Sequence, residues 1–264
     1  MSKLLHSLLL AMLAPLIFGM AGCATDRSPS PPTDAQRSAQ SDQQRARIRL
    51  QLAIGYYEQR QMSVALDEIR QALQADPNFA DAYSVRGLIY MDIGENKLAE
   101  DSFLQAIKLS PNNPDFSNNY GWFLCQNDRA PQSIAYFESA MKVHSYQSPA
   151  KAMYNAGVCS LKLKDLAAAE KYFSQAFQYD PANLSTSANL AKLYFDRGDY
   201  ERARFFAGRV TRGDGAKADM LWLAIKIERK LGDRAAESSL ATQLRRRYPA
   251  SEEYAAYQRG AFDE

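Results

Sequence analysis

The sequence has few of the residues from which metal sites and catalytic centres are built. Its 264 residues include only three cysteines and two histidines, and Cys23 and His6 lie close to the N-terminus. A structural zinc site needs four such ligands, so we expect no metal. The chain also lacks the G-x-S-x-G, H-E-x-x-H and phosphate-loop motifs. We therefore expect that it is not an enzyme, and that it uses no cofactor and no small-molecule substrate.

The sequence also lacks an excess of charge of one sign. Lys and Arg number 32 and Asp and Glu number 30, which gives a net charge of +2. A nucleic-acid-binding domain normally carries a strong basic patch, so we expect no nucleic acid partner. With 46% hydrophobic residues, the chain can bury a sizeable core and is not a disordered protein.

Residues 1–22 have the composition of an export signal. A short basic start precedes an apolar run from Leu4 to Met20, which Pro15 and Gly19 interrupt. A membrane-spanning helix needs about 20 apolar residues, and this run is shorter and broken. The segment therefore predicts a cleaved signal peptide.

The end of this segment, Met20-Ala21-Gly22-Cys23, resembles the lipobox of bacterial lipoproteins. The resemblance implies cleavage before Cys23 and attachment of a lipid to it, so that the protein contacts a membrane through its N-terminus. An ordinary signal peptide with an incidental thiol is the alternative. Position 24 is Ala, whereas an Asp there tends to retain lipoproteins at the inner membrane. The expected location is therefore the outer membrane, facing the periplasm.

Residues 23–44 predict a lipidated cysteine and a disordered tether. The stretch is rich in Ser, Pro, Gln, Asp and Arg and has almost no large apolar side chain, so little could compensate the entropy of ordering it. The remaining residues, 45–264, are expected to form one folded domain.

Within this domain, prolines recur with a period of about 34 residues. Pro77 and Pro111 are one period apart, Pro181 lies two periods and two positions further on, and Pro249 lies two periods beyond Pro181. The two extra positions indicate a short insertion after the third repeat. The period predicts six repeats, near 46–79, 80–113, 114–149, 150–183, 184–217 and 218–251.

Each repeat has small residues at fixed places and a large residue between them. Gly87, Gly121 and Gly157 share one position, and a Phe follows each of them at the same distance along the chain. Two helices cross closely only where one offers Gly or Ala to a bulky residue of the other. This pattern is that of the tetratricopeptide repeat, and it predicts an all-α fold: a right-handed superhelix of about six helix-turn-helix repeats.

One face of the first helix of each repeat is expected to line a concave groove. That face is apolar with aromatic anchors, which suits an amphipathic helix or an extended hydrophobic segment. The alternative is that many of these side chains are core. The candidate groove residues are Leu50, Ile54, Tyr57, Leu88, Met91, Asn118, Trp122, Tyr154, Val158, Lys192 and Phe195.

Three asparagines occupy one further position of this helix in consecutive repeats. They are Asn119, Asn155 and Asn189, and they could bind the backbone of a bound peptide or serve the fold alone. Cys125 and Cys159 lie in consecutive repeats whose first helices run side by side. In an oxidising compartment they could form a disulfide, or they could be two small buried hydrophobes.

The lipobox, the Pro-rich tether and the six repeats occur together with Ser117-Asn118-Asn119-Tyr120-Gly121-Trp122-Phe123-Leu124-Cys125 and Asn155-Ala156-Gly157-Val158-Cys159. This combination resembles the type IV pilus biogenesis lipoproteins of the PilF/PilW family, whose paired cysteines match those here. The resemblance implies a pilotin, an outer-membrane lipoprotein that binds the type IV pilus secretin and promotes its localisation and multimerisation, supporting twitching motility. A tetratricopeptide scaffold for another envelope assembly machine, such as outer-membrane protein insertion, is the alternative.

Overall fold

The computed structural model describes residues 33–213 and 215–262. The expected signal peptide, lipobox and Cys23 lie outside the described residues. The chain divides into two units, residues 1–40 and residues 41–264, and the helical repeats lie in the second apart from the first residues of the first helix. Within the described ranges, no helix has both the length and the apolar character that crossing a membrane requires.

The described residues form thirteen α-helices and no strand. The first twelve make six consecutive pairs, in which the odd-numbered helix is called helix A and the even-numbered helix is called helix B. This arrangement confirms the all-α superhelix of six repeats. In chain order the helices are α1 Asp34–Glu58, α2 Met62–Ala75, α3 Ala80–Asp92, α4 Asn96–Leu109, α5 Pro114–Gln126, α6 Ala130–Met141, α7 Pro149–Lys162, α8 Leu166–Tyr179, α9 Leu184–Asp196, α10 Tyr200–Thr211, α11 Ala218–Leu231, α12 Arg234–Arg247 and α13 Glu252–Arg259.

A short turn with one left-handed residue joins the two helices of every pair. A positive φ ends helix A and lets the chain reverse within about three residues. At Gly198 this costs little, whereas at Lys164, with φ 60°, a side chain must be accommodated in the left-handed region. The left-handed residues of the six turns are Arg60, Gly94, Asp128, Lys164, Gly198 and Gly232.

Each of the second, third and fourth pairs packs a phenylalanine of helix B against a glycine of helix A. A Cβ added at Gly87 would lie 2.6 Å from the Phe103 ring, and one added at Gly121 would lie 2.9 Å from the Phe137 ring. Both rings are buried almost completely. Burying one such side chain contributes about 1.5–3 kcal/mol, and the glycine is what allows the close approach.

The start of α1 differs from the expected tether boundary at residue 44. The helix begins at Asp34, so residues 34–44 are helical and the expectation of a disordered segment is wrong for them. After Pro32 the chain has no further Pro and no Gly before Gly55, and it is rich in Ala, Gln and Arg. Those residues are good helix formers, and extending an existing helix is far easier than starting one.

The last helix pair is covered by α13. Trp222 of α11 contacts Phe262, with 5.2 Å between the ring centroids, and the Arg229 guanidinium lies 3.8 Å from the centroid of the Phe262 ring. Tyr257 of α13 also packs against the cluster that includes Trp222. The end of the repeat array is thereby closed, as a terminal repeat requires.

Candidate groove on the A helices

The A helices of the first four pairs together line a depression of about 280 Å³, which we call the N-terminal groove. Four helices contribute to it, α1, α3, α5 and α7, so it depends on the side-by-side packing of neighbouring repeats. Its lining residues are Tyr57, Leu88, Met91, Asp92, Asn118, Asn119, Trp122, Lys151 and Asn155.

Most of the expected groove residues of the first three repeats are brought together here. Asp92 and Lys151 were not among the candidates, although Asp92 is the last residue of α3 and Lys151 lies in the first turn of α7, at the two ends of the same face. A search for charged residues at those positions would have found them. The candidates that line the N-terminal groove are Tyr57, Leu88, Met91, Asn118, Asn119, Trp122 and Asn155.

Three of the other candidates line neither this groove nor the second groove described below. Leu50 is only 8% exposed and belongs to the core around Ile69, because its side of α1 faces the neighbouring helices; its assignment to the groove is therefore corrected. Ile54 is exposed and does not line this depression. Val158 packs against the core cluster around Phe173.

The apolar floor of the N-terminal groove is half-buried. Trp122 packs against the core cluster around Phe137, while Leu88 and Met91 pack against the cluster around Phe103. All three side chains also line the depression. They are thus both core and groove, which combines the two interpretations that the sequence left open. Side chains held in place in this way lose little freedom when a ligand covers them.

A carboxylate and a tyrosine mark one end of the N-terminal groove. Asp92 accepts hydrogen bonds of 2.9 Å from the Tyr57 hydroxyl and from Arg60. Burial and the hydrogen bond to Asp92 raise the pKa of Tyr57 to about 12. The hydroxyl therefore remains a neutral donor at physiological pH, fixed towards Asp92.

A chain of side-chain hydrogen bonds crosses the floor from α7 to α3. Asn155 Nδ2 donates to Asn118 Oδ1 at 3.0 Å, and Asn118 Nδ2 donates to Asn119 Oδ1 at 3.3 Å. Asn119 Nδ2 then donates to Ser84 Oγ at 3.2 Å. Asn118 is fully buried, so these bonds satisfy polar groups that would otherwise be costly. Asn189 donates instead to the Ser185 carbonyl oxygen of its own helix.

These asparagines therefore have a structural role that their spacing alone did not specify. An amide nitrogen carries two hydrogens, and Asn119 and Asn155 each use one of them in this chain. Both residues line the N-terminal groove, so their side-chain amides lie at the surface that a ligand would cover. The floor thus offers apolar contact and a small number of polar donors.

A disulfide joins Cys125 of α5 to Cys159 of α7, with 5.9 Å between the Cα atoms. Further along the same helices, Lys162 Nζ donates to the Cys125 carbonyl oxygen and to Gln126 Oε1, each at 3.1 Å. Together with the bond between Asn155 and Asn118, α5 and α7 are linked at three levels. The floor beneath Trp122 is therefore held rigidly.

A second region, the C-terminal groove, consists of two adjoining depressions of about 310 and 330 Å³. They share Ala188, Asn189, Asp219 and Met220, so they form one continuous surface along α9 and α11. The candidates Tyr154, Lys192 and Phe195 also line it. Trp222 and Lys226 of the sixth pair complete it; they were missed because the candidates were drawn only from the first five repeats.

Neither groove resembles a metal centre. No group of three or more His, Cys, Asp or Glu side chains suited to a metal ion occurs in the part of the chain that the structure describes. The lining residues are instead mainly aromatic, aliphatic and amide side chains with a few lysines and aspartates, which suit contact with a polypeptide.

Comparison with known proteins finds matches both for the individual repeats and for nearly the whole chain. Models of the tetratricopeptide repeat match residues 50–114, 121–183, 102–135 and 160–220. PilF of Pseudomonas aeruginosa, described as a type IV pilus assembly protein, is 29% identical over 249 residues, which cover 94% of this chain and 97% of PilF.

Solved structures show the same relationship. The structure of PilW, described as a widely conserved type IV pilus biogenesis factor, is 32% identical, has a TM-score of 0.71, and covers 81% of this chain and 98% of PilW. The structure of Pseudomonas aeruginosa PilF is 28% identical, has a TM-score of 0.77, and covers 83% of this chain and 99% of PilF. The chain therefore belongs to the PilF/PilW family of tetratricopeptide-repeat proteins.

Proposed function

We propose that this protein acts in type IV pilus biogenesis as a pilotin. It is an outer-membrane lipoprotein that binds the pilus secretin in its N-terminal groove and promotes secretin localisation and multimerisation. The observation that carries the proposal is the half-buried surface of Leu88, Met91 and Trp122, which is rooted in the core and open to a ligand. It belongs to a chain that matches PilW over 98% of that protein.

The groove suits a segment of an unassembled subunit. A protein that forms a multimer carries apolar surface that is exposed until its neighbours cover it, and such surface promotes aggregation. A partly apolar groove can cover one such segment during transport. The side-chain amides of Asn119 and Asn155 can donate to its backbone carbonyl groups, which would otherwise lose their hydrogen bonds to water.

The anchor follows from the N-terminal sequence. Met20-Ala21-Gly22-Cys23 directs lipid attachment to Cys23, and each buried CH₂ of a lipid contributes about 0.8 kcal/mol to membrane binding. The periplasm is oxidising, which agrees with a disulfide between Cys125 and Cys159. The protein is then a carrier that works by binding and location, without chemistry of its own.

Two linked measurements test this function. The mature chain serves as bait for a pull-down from detergent-solubilised envelope, and secretin multimers are compared on a gel between the wild-type strain and a deletion strain. Recovery of the pilus secretin, with loss of its multimers in the deletion strain, is the expected result. Recovery of an outer-membrane protein insertion factor with unchanged secretin multimers would overturn the proposal and favour a different scaffold role.

A further inference from the structure

A depression of about 450 Å³ lies between the first and second helix pairs, on the side of α3 that faces away from the N-terminal groove. Arg86 and Tyr90 line it, and each is two positions from Leu88, which lines the groove. Two residues of a helix are about 200° apart, so the two sites use opposite faces of α3. We call it the B-side pocket, and its lining includes Leu66, Asp67, Arg70 and Leu73 of α2 with Arg86 and Tyr90 of α3.

The B-side pocket occurs where one repeat departs from the pattern of the others. One position of helix B carries a large side chain in the third to sixth pairs and a small one in the second pair. In chain order the residues at this position are Ser102, Tyr136, Tyr172, Phe206 and Leu240.

In the later pairs this side chain packs at the junction with the preceding pair. The Tyr172 hydroxyl donates to Glu138 of α6 at 2.9 Å. The Phe206 ring lies 5.1 Å, between centroids, from the Phe177 ring of α8. An aromatic ring from one pair thus contacts helix B of the pair before it.

The junction between the second and third pairs also contains a ring and a carboxylate. Tyr136 packs edge-on against Tyr120, with 4.8 Å between the ring centroids. The Tyr120 hydroxyl donates to Glu100 of α4. The chain itself therefore supplies both groups at this junction, as it does between the third and fourth pairs.

The junction between the first and second pairs has neither group. Ser102 stands where the later pairs have a large side chain, and α2 carries Leu66 and Arg70 at the positions of Glu100 and Glu138. The walls of the B-side pocket are accordingly apolar and basic. What this junction lacks, relative to the next two, is an aromatic ring and a carboxylate.

Arg86 is half-buried in the B-side pocket and has no carboxylate partner among the described residues. Its Nε donates to Ser102 Oγ at 3.0 Å, and its guanidinium lies 4.7 Å from the centroid of the Tyr83 ring. Its two Nη atoms, which carry the other N–H donors, form no hydrogen bond or ion pair within the described ranges. An incoming anionic group can therefore bind Arg86 without breaking either contact.

The nearby carboxylates leave this charge unopposed. Asp67 is the one carboxylate that lines the B-side pocket in the described structure, and it pairs with Arg70 at 3.3 Å. Glu68 of α2 pairs with Arg49 of α1. The lining thus has two arginines and one aspartate, and the excess positive charge is that of Arg86.

We propose that the B-side pocket binds an aromatic side chain of a polypeptide partner together with a carboxylate from the same segment. The ring packs against Leu66, Leu73 and Tyr90 and takes the place of the ring that the chain supplies at later junctions. The carboxylate accepts hydrogen bonds from the Nη atoms of Arg86, a pairing whose planar geometry is favourable. The protein then has a second binding surface, which is independent of what the N-terminal groove binds.

A short peptide tests this pocket directly. In an extended segment, residues two positions apart project from the same side, so the probe is acetyl-Ser-Phe-Ser-Glu-Ser-amide. It is titrated at millimolar concentrations into the isotope-labelled mature chain, and amide chemical shifts are followed by NMR. We expect shifts in α2 and α3, and about tenfold weaker binding when Gln replaces the Glu or Ala replaces the Phe.

Three variants locate the binding site. Arg86→Gln should weaken binding of the peptide about tenfold, because it removes the charge. Lys164→Gln removes one charge at an exposed position of the fourth pair and should change the affinity less than twofold. Arg86→Ala with Ser102→Tyr gives the second pair the residues of the fourth, Ala156 and Tyr172, so its pocket is filled and binding should be lost.

Each other outcome contradicts the proposal. Absence of shifts in α2 and α3, or equal affinity for the Glu and Gln peptides, would overturn it, and both measurements use the unaltered protein and do not depend on the folding of a variant. Unchanged binding to the filled double variant would place the peptide elsewhere. Shifts in α2 and α3 caused by dihexanoyl phosphatidylglycerol, but not by the peptide, would assign Arg86 to a lipid phosphate and also overturn it.

Discussion

Gly157 of α7 lies against the ring of Phe173 so closely that a Cβ at position 157 would be 2.7 Å from ring atom Cε1. This is closer than carbon atoms of different side chains approach one another in proteins. The Phe173 ring is fully buried, so it cannot move away without disturbing the core.

We therefore expect Gly157→Ala to lower the free energy of unfolding by about 1–3 kcal/mol, through overpacking. Gly208→Ala in α10 is the matched control, because no atom beyond its own stretch of helix lies within 4 Å of the added Cβ. It should raise stability by about 0.5–1 kcal/mol, since Ala is the better helix former. Urea denaturation of both variants measures the effect, and destabilisation by similar amounts would show that the ring contact is not responsible.

The disulfide is expected to stabilise the fold measurably. Replacing both Cys125 and Cys159 by Ala should lower the free energy of unfolding by about 2–4 kcal/mol, because a closed loop of this length restricts the unfolded chain. A thiol reductant should destabilise the wild-type protein and leave the double variant unchanged. Equal sensitivity of both proteins to the reductant would contradict this prediction.

Alkaline pH should weaken the packing of the second and third repeats. The Tyr120 hydroxyl donates to Glu100 Oε1 at 2.7 Å. Burial and this bond raise the pKa of Tyr120 from 10.0 to about 12. The folded state thus favours the neutral tyrosine, and this stabilisation is complete below pH 10 and is lost as the pH rises to about 12.

Thermal unfolding between pH 9 and 12 tests that prediction. Tyr120→Phe should lose less stability over the interval than the wild-type protein, because the group that titrates has been removed. Tyr179→Phe, at an exposed tyrosine, serves as the control and should follow the wild-type curve. Parallel curves for Tyr120→Phe and the wild-type protein would contradict the assignment.

Truncation of Trp122 should weaken partner binding. A central aromatic anchor typically contributes about 2 kcal/mol or more, so Trp122→Ala should reduce affinity for the secretin subunit roughly 30-fold. Phe205→Ala removes an aromatic ring that is 50% exposed on α10, outside both grooves, and should change affinity less than twofold. Urea denaturation of both variants separates lost binding from lost folding. Comparable affinities for the two variants would argue against the groove as the binding site.

Features that depend on neighbouring turns of helix were predictable from the sequence. The spacing of Pro77 and Pro111 marks where a B helix must end, and the pairing of Gly87 with Phe103 requires only that two short helices cross. These contacts lie within one repeat, so the pattern of a single repeat contains the necessary information. The repeat count and the helical fold follow from them.

Which side chains reach the groove depends on how neighbouring repeats rotate against each other. Leu50 and Ile54 are one helical turn apart on α1, yet Leu50 is buried and Ile54 is exposed. The bond from Asn155 to Asn118 likewise requires the distance between α5 and α7, which no spacing within one repeat specifies. The sequence therefore indicated the correct faces without identifying which residues on them were free.

Because the disulfide lies in the middle of the repeat array, the two sides of the N-terminal groove are expected to differ in mobility. In an array where each helix pair contacts mainly its neighbours, opening starts at the ends and progresses inward pair by pair. Cys125 and Cys159 clamp the third and fourth pairs, whereas Tyr57 lies on the first. Amide exchange should accordingly be slowest in α5 to α8 and faster towards α1. The floor of the groove, on α5 and α7, then keeps its shape. Its outer side, where Tyr57 of α1 lies, can move to admit and release a partner.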